Sequence, residues 1–265
     1  MTLYSLFGNP VSHSLSPRMH NLAFARLGID GAYIRTPLED GSKLKEVFFL
    51  QALDGGNVTV PHKQDAFLAC DEVRGLALTI GAVNTLVREE GKLIGYNTDA
   101  PGFLRAIGSF GELQSALILG AGGTARAIAH ALRASGVRVT LLNRSEGNLL
   151  PFIEEGFSCF THATFHPTPY DLVVNTTSAG LKEELLPAPS SLLEPLLKTA
   201  SYAFDVIYNA QTPFLTLARA CGLTCKDGKE MLLWQGVLAF NLFHHNTLNE
   251  TVIALAMEEA LKLSS

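Results

Sequence analysis

One stretch of the chain decides its fold, and it reads Ala116-Leu117-Ile118-Leu119-Gly120-Ala121-Gly122-Gly123-Thr124-Ala125. Its first residues form an apolar run, which is typical of a strand covered on both faces in a parallel sheet. The turn that follows fits the pattern G-x-G-x-x-G/A, in which the first glycine makes a tight turn and the second lets a diphosphate approach the backbone. Ala125 fills the third position, where a small residue lets helix and strand pack closely. The stretch therefore predicts a dinucleotide-binding unit.

A helix and a second strand should follow this turn. Apolar spacing predicts the helix over residues 124–135, with Gly136 at its left-handed end, and the strand over residues 137–142. The strand leads into Asn143-Arg144-Ser145, at the place where a site for NAD usually has an acidic residue. A guanidinium instead matches a 2′-phosphate in charge and geometry. This pattern predicts NADP as the cofactor, and an ordinary βαβ unit with a glycine-rich turn is the alternative.

Length and composition narrow the class of protein. The chain has 265 residues, 47% of them hydrophobic and 17% charged, which is typical of a globular protein with room for one or two domains. The net charge of −5, with scattered basic residues, argues against a nucleic-acid partner. No run approaches the ~18 apolar residues of a membrane helix, and the first residues lack a signal peptide's basic region. We expect no membrane partner, a cytoplasmic location and, because the four cysteines lack metal-ligand spacing, no metal.

The first hundred residues predict a small α/β domain, because short apolar runs alternate with amphipathic stretches. After a predicted strand over residues 3–7 comes a loop rich in hydroxyl groups, with Ser14 and Ser16 before Pro17. Ser16 is predicted as the N-cap of a helix and Pro17 as part of its first turn. Capping does not explain Ser14. The other interpretation is a seat for a small anion or polyol, formed by hydroxyls beside free helix amides.

Lys63 is the first candidate for proton transfer. A strand with one polar face is predicted up to Val60, and Pro61 should end it and begin a helix that carries Lys63 in its first turn. A cation there opposes the partial positive charge of the helix N-terminus. Such a placement suits an amine that works in acid–base chemistry. A solvated surface lysine is the alternative.

Asp99 is the second candidate. It follows a predicted hairpin over residues 80–87 and 92–96, and it precedes a predicted helix that reaches about Phe110. Its carboxylate could cap that helix. It could also orient a lysine and share a proton with it, and such a pair can move the hydroxyl proton of an alcohol.

The second half of the chain continues as a nucleotide-binding sheet should. Strands are predicted at residues 170–175, 202–208 and 223–226, and helices at residues 213–220, 230–244 and 250–263. Polar or aromatic residues end the first two of these strands. Open α/β sheets bind their ligands at those carboxyl ends.

Taken together, these motifs resemble the shikimate dehydrogenase family from one end of the chain to the other. The likeness is carried by Ser14-Leu15-Ser16-Pro17, Asn57-Val58-Thr59-Val60-Pro61-His62-Lys63, Gly81-Ala82-Val83-Asn84-Thr85, Asn97-Thr98-Asp99, Gly120-Ala121-Gly122-Gly123, Asn143-Arg144-Ser145, Asn175-Thr176-Thr177-Ser178 and Asp227-Gly228 through Gln235-Gly236. The resemblance implies an NADP-dependent enzyme that interconverts 3-dehydroshikimate and shikimate in chorismate and aromatic amino acid biosynthesis. It also implies a two-domain α/β fold. Residues 1–101 with 236–265 would form the substrate domain, to which the C-terminal helices return, and residues 102–235 a Rossmann-like doubly wound NADP domain.

The resemblance also implies roles for individual residues. Lys63 and Asp99 would be catalytic. The substrate would be bound by Ser14, Ser16, Thr59, Lys63, Asn84, Asp99, Tyr208 and Gln235. The cofactor would be bound by Gly120, Ala121, Gly122, Gly123, Thr124, Asn143, Arg144, Ser145, Ile207 and Gly228.

Some points stay open. Ala210 stands where family members often have proline, and the loop to Thr212-Pro213 is a residue shorter, which weakens the likeness around Ile207. A quinate/shikimate dehydrogenase with relaxed cofactor use is one rival function. A noncatalytic sensor of NADP or shikimate is another, although Lys63 and Asp99 argue against it. A homodimer is an open alternative for the assembly.

Overall fold

The structure of the protein, a computed structural model, describes residues 1–208 and 210–263. It contains two compact units, which we call unit 1 (Met1–Gly102 with Leu232–Ser265) and unit 2 (Phe103–Met231). The domain limits predicted from the sequence, after residues 101 and 235, stay a prediction. The second unit boundary lies four residues before the predicted one, inside the continuous helix Lys229–Phe243.

Strands and helices alternate along most of the chain. The strands are β1 (Thr2–Gly8), β2 (Gly31–Pro37), β3 (Gly55–Val58), β4 (Glu72–Val73), β5 (Thr85–Glu89), β6 (Lys92–Tyr96), β7 (Ser115–Leu119), β8 (Arg138–Asn143), β9 (Ser158–Thr161), β10 (Leu172–Asn175), β11 (Tyr202–Asp205) and β12 (Thr224–Lys226). The α-helices are α1 (Ser16–Leu27), α2 (Leu44–Leu50), α3 (Lys63–Ala69), α4 (Leu76–Ile80), α5 (Asp99–Ala106), α6 (Gly123–Ala134), α7 (Leu150–Glu154), α8 (Ser190–Leu197), α9 (Pro213–Ala220), α10 (Lys229–Phe243) and α11 (Glu250–Lys262).

Unit 1 is built on a mixed sheet with the strand order β2-β1-β3-β5-β6-β4. β1 runs parallel to β2 and β3, whereas β5 runs antiparallel to β3 and β6. Helices α1 and α11 pack against each other beside this sheet, and aromatic contacts join α1 and β1 to α10. The rings of Tyr4 and Phe243 lie 4.6 Å apart, and those of Phe24 and Phe240 lie 4.8 Å apart. The predicted return of the C-terminal helices to the first domain is thus confirmed.

Unit 2 is built on a sheet of parallel strands in the order β9-β8-β7-β10-β11-β12. Numbered from its own first strand, this is the order 3-2-1-4-5-6 of the doubly wound dinucleotide-binding fold. The direction of winding reverses between β7 and β10, and ligands bind beyond the carboxyl ends of the strands at such a point. The predicted α/β fold class is confirmed. None of the helices in the described residues is both long and apolar enough to cross a membrane.

Two predicted strands differ from the structure for local reasons. The strand predicted over residues 202–208 ends at Asp205, because the Asp205 carboxylate accepts a hydrogen bond from the Ile207 amide at 3.0 Å and turns the chain. The hairpin strand predicted from residue 80 begins at Thr85, because α4 occupies residues 76–80 and Gly81 ends it with a φ of 67°. In the loop that contains Ala210, Asn209 lies outside the described residues.

The core of unit 2 depends on Phe204. Its side chain is fully buried in β11, and its ring meets the ring of Phe103 edge to face at 5.1 Å. We expect Phe204→Ala to lower the free energy of unfolding by about 3–5 kcal/mol, since it removes apolar contacts and leaves a cavity. Leu150→Ala, at a side chain that is 51% exposed, should change it by less than ~0.5 kcal/mol. Urea unfolding measures both, and equal midpoints for the two variants would contradict this account of the core.

Candidate active site

A buried ion pair joins the first residues of two helices in unit 1. Lys63 begins α3 and Asp99 begins α5, and the lysine Nζ donates to the Asp99 Oδ2 at 2.6 Å. The side chains are only 11% and 10% exposed. Lys63 is therefore not a solvated surface lysine. An amine held this way has a fixed position and a partner that accepts its proton in a hydrogen bond.

Asp99 does not cap its helix. The cap is Asn97, whose Oδ1 accepts a hydrogen bond from the Ala100 amide at 3.2 Å. The amide group of Asn97 also donates to the Ala82 carbonyl at 3.0 Å, which fixes this side chain from both ends. Because another residue satisfies the helix end, the Asp99 carboxylate is available to Lys63.

His62 holds the start of α3 in place. Its buried ring lies 2.9 Å from the Asp65 carboxylate through Nδ1 and 2.6 Å from the Leu38 carbonyl through Nε2. One residue on, the Lys63 carbonyl accepts a hydrogen bond from the Val83 amide at 2.9 Å. His62 was not predicted as a functional residue, although the carboxylate three positions later was a signal for this contact. His62 is thus a positioning residue for Lys63.

The hydroxyl pair at the start of α1 is arranged differently from the prediction. Ser16 is the first residue of the helix and not its N-cap, so that prediction was wrong. The reason is local, since the Ser16 amide donates to Ser14 Oγ at 3.2 Å and Ser14 takes over the role of acceptor. The two hydroxyls are 3.2 Å apart. They form a compact polar group that can bind a small anion or hydroxyl.

The other candidate substrate residues of unit 1 lie in ordered positions. Asn84 is buried, donates to Thr98 Oγ1 at 3.0 Å and accepts from the Thr98 amide at 2.7 Å. Thr59 is half-buried just after β3. Gln235 lies on α10, and its amide donates to the Leu232 carbonyl at 2.9 Å.

Gly102 allows a close approach of α5 to the segment that carries Gln235. A Cβ at position 102 would lie 2.8 Å from the Gln235 backbone nitrogen, which is too close for any other residue.

Tyr208, the remaining candidate for substrate binding, belongs to unit 2. It is half-buried, and burial raises the pKa of its phenol.

The glycine turn of unit 2 has the geometry of an anion site. Gly120 has a φ of +107°, and a Cβ there would lie 2.6 Å from Thr176 Oγ1. A Cβ added to Gly122 would meet nothing within 4 Å, so the turn is open on that side. Helix α6 begins at Gly123 without a side-chain cap, which leaves its first amides available to a ligand. Ala121 and Thr124 complete this turn.

A cavity of about 710 Å³ adjoins the turn, and its lining fits a phosphorylated nucleotide. Gly120, Asn143, Arg144 and His162 line it, together with residues 177–183 and 185–189. The side-chain amide of Asn143 donates to the Ser145 carbonyl at 2.9 Å and so fixes the loop. Arg144 is exposed, and among the described residues it has no hydrogen-bond or ion-pair partner. These residues fit an NADP phosphate by charge and by donor geometry.

A buried carboxylate organises the neighbouring strand ends. Asp205 accepts hydrogen bonds from Asn175 at 3.1 Å, from Thr212 at 2.6 Å and from the Ile207 amide at 3.0 Å. The Ile207 carbonyl in turn accepts from the Gly228 amide at 3.1 Å, and a Cβ on Gly228 would overlap the chain at Val206. Ile207 and Gly228 therefore lie together, and their role as cofactor contacts stays a prediction.

The fold and the two sites define a class of protein. A doubly wound unit with a free helix N-terminus and an arginine is typical of the nucleotide-binding domain of an oxidoreductase, and the buried amine–carboxylate pair suits proton transfer.

Comparisons with known proteins give the family. The family model of the shikimate dehydrogenase substrate-binding domain matches residues 6–86. The shikimate dehydrogenase (NADP(+)) of Helicobacter hepaticus is 47% identical over 93% of this chain and 92% of its own, and that of Helicobacter pylori strain G27 is 44% identical over 91% of each. The crystal structure of the Thermus thermophilus shikimate 5-dehydrogenase in complex with NADP(H) and shikimate superposes with a TM-score of 0.85, at 38% identity, over 98% of this chain and 100% of the other. The chain belongs to the shikimate dehydrogenase family, which confirms the resemblance.

Asp205 should give the stability of unit 2 a characteristic pH dependence. Burial raises the pKa of its carboxyl above the ordinary value of 3.8, so between that value and the native pKa the folded state binds more protons than the unfolded state. The free energy of unfolding must then fall as the pH rises through this window. In Asp205→Asn this fall should be absent, so the wild type loses stability relative to the variant from about pH 4 upwards. Urea unfolding over a pH series measures the difference.

Asp171 is the matched control, because backbone amides of residues 114 and 115 lower the pKa of its carboxyl. For Asp171→Asn the wild type should instead lose stability relative to the variant as the pH falls below about 3.8. A pH-independent difference for Asp205→Asn would contradict the assignment of a buried carboxyl with a raised pKa.

Proposed function

We propose that the protein catalyses the reversible, NADP-dependent reduction of 3-dehydroshikimate to shikimate, a step of chorismate and aromatic amino acid biosynthesis. The observation that carries this proposal is the buried pair of Lys63 and Asp99 at 2.6 Å. The relatives named shikimate dehydrogenase (NADP(+)) support the substrate and the cofactor. A noncatalytic sensor would have no need for an amine and a carboxylate held at this distance and away from water.

The pair manages one proton. When NADP is bound, it supplies the hydride chemistry, and the protein must handle the proton of the alcohol. During oxidation the Lys63 amine takes the proton from the substrate hydroxyl. During reduction the Lys63 ammonium gives a proton to the oxygen that becomes the hydroxyl. Asp99 accepts a hydrogen bond from the lysine, which keeps its nitrogen in place.

The polar residues of unit 1 would bind the substrate. In this proposal the hydroxyls of Ser14 and Ser16 hold its carboxylate, and the ring hydroxyls are bound by Thr59, Lys63, Asn84, Asp99 and Gln235, with Tyr208 as a further contact. The hydrogen bond that Ser14 donates to Ser16 supports the first part, because it holds the two hydroxyls side by side. A site built to bind several hydroxyls disfavours analogues that lack them by large factors. The relatives named shikimate dehydrogenase support shikimate, rather than quinate, as the preferred acid.

The glycine turn and the ends of β8, β11 and β12 would hold the cofactor. The backbone of residues 120–124 would bind the diphosphate, since the first amides of α6 are uncapped. Asn143, Arg144 and Ser145 would bind the 2′-phosphate. Ile207 and Gly228 would contact the nicotinamide side. The proposal places the enzyme in the cytoplasm, and it is compatible with a monomer or a homodimer.

Replacing Lys63 tests the proposal. Lys63→Met should lower turnover by about 10²–10⁴-fold, because it removes the group that transfers the proton. Binding of NADP should change less than about twofold, because the variant leaves the glycine turn and Arg144 untouched. The absorbance of NADPH formed with shikimate measures turnover, and calorimetry measures NADP binding.

Lys45→Met is the control. Lys45 also lies 2.6 Å from a carboxylate, that of Asp71, but their side chains are 40% and 34% exposed. This variant should keep full turnover. Unchanged turnover in Lys63→Met would remove Lys63 from the mechanism, and a wild-type protein that forms no NADPH from shikimate would refute the proposed function.

A further inference from the structure

Arg144 has a neighbour, His162, that has no role in the site described so far. Strands β8 and β9 are parallel, and Asn143 pairs with Thr161 at their carboxyl ends. Arg144 and His162 are the residues that directly follow these two strands. The register therefore places them side by side at the edge of the sheet where ligands bind.

The segment around His162 is held in a fixed shape. The Thr164 amide donates to the Thr161 carbonyl at 3.1 Å, and the Thr161 amide donates to Thr164 Oγ1 at 3.0 Å. The next residue, Phe165, is buried and packs its ring against Phe160. His162 is thus the second residue of a turn that is fastened at both ends. Such a position holds a side chain ready for a ligand, because little conformational freedom is lost on binding.

His162 and Arg144 face the same cavity. Both line the space of about 710 Å³ that also reaches Gly120 of the glycine turn. Within residues 1–208 and 210–263, neither side chain has a hydrogen-bond or ion-pair partner. Burial, and then the positive charge of Arg144, lower the pKa of His162. The two side chains therefore interact electrostatically. An anion bound between them would offset the repulsion between the guanidinium and a protonated imidazole.

The charge of the expected ligand requires more than Arg144. A phosphate monoester carries about −1.5 to −2 charges near pH 7 and offers three strong acceptor oxygens. The loop after β8 supplies one cation, Arg144, and one opposing carboxylate, Glu146. A single guanidinium can satisfy two of the oxygens in a fork. Asn143 and Ser145 add only uncharged contacts from the same loop, and the third oxygen is open to a second donor from outside this loop.

We propose that His162 is this second donor, which binds the 2′-phosphate of NADP beside Arg144 and contributes to the preference for NADP over NAD. The inference rests on the proposed function, because it takes NADP as the cofactor. It assigns part of the choice between NADP and NAD to the residue that follows β9. That residue lies outside the motif around Arg144.

The test uses two fragments of the cofactor, 2′,5′-ADP and 5′-ADP, which are distinguished by the 2′-phosphate. Calorimetric titration of the full chain gives both dissociation constants without any turnover. His162→Ala should weaken binding of 2′,5′-ADP about tenfold and leave binding of 5′-ADP unchanged, because only the first ligand loses a hydrogen bond to a charged group. His162→Arg should restore or exceed the wild-type preference, since it provides a second guanidinium.

His166→Ala is the control, since His166 is exposed and is not among the residues that line the cavity. It should leave both constants unchanged. Lys182→Ala tests the other cation of the cavity lining, and a selective loss there with none in His162→Ala would overturn the inference. Equal losses for both fragments in His162→Ala would also overturn it, because they indicate a packing role. Circular dichroism of each variant checks that it folds.

The preference for NADP and the role of His162 are tested separately. If the wild-type protein binds both fragments equally, the NADP preference in the proposed function is wrong. If the wild type prefers 2′,5′-ADP, Arg144→Ala loses this preference and His162→Ala keeps it, then NADP stands and the role of His162 is wrong.

Discussion

The ion pair of Lys63 and Asp99 is the constraint on which unit 1 depends. An ammonium and a carboxylate that are about nine-tenths buried must stay together, since either one alone would be an unpaired charge away from water. Each begins a different helix, so the starts of α3 and α5 must be fixed independently. His62 fixes the first through Asp65 and Leu38, and Asn97 fixes the second through Ala100. The hydrogen bonds of His62 and Asn97 therefore hold the two helix starts that bring this amine and carboxylate together.

Unit 2 differs from unit 1, because it leaves hydrogen-bond donors unsatisfied at the place where an anion would bind. The first amides of α6 and the guanidinium of Arg144 are available, whereas the polar groups behind them are fully used. Thr176 donates to the Leu119 carbonyl at 2.7 Å, and Asp205 accepts three hydrogen bonds at the ends of β10 and β11. A rigid, satisfied support behind a free surface is the arrangement that lets a binding site keep its geometry before the ligand arrives.

Most of the longer elements could be predicted from the sequence, and several of the shortest could not. Helix α9 was predicted with its observed bounds, Pro213–Ala220, and the turn at residues 120–125 indicated the sheet of unit 2. The two-residue strand β4 and the five-residue helices α4 and α7 are too short for an apolar period to show. Ser16 was misassigned because the acceptor at the helix start came from Ser14. The pattern of residues offered the pairing of Lys63 with Asp99, 36 residues apart, as one alternative, and likeness to a family assigned it.

The most direct test of the central claim is a double-mutant cycle on kcat/KM for shikimate, with Lys63→Met, Asp99→Asn and the two combined. If the two side chains act as one unit, Asp99→Asn alone should lower kcat/KM. In the Lys63→Met background the same substitution should lower it almost no further. The combined variant should then match Lys63→Met. Losses that multiply, so that the double variant is slower by the product of the two single effects, would show that the carboxylate and the amine act independently and would contradict the account.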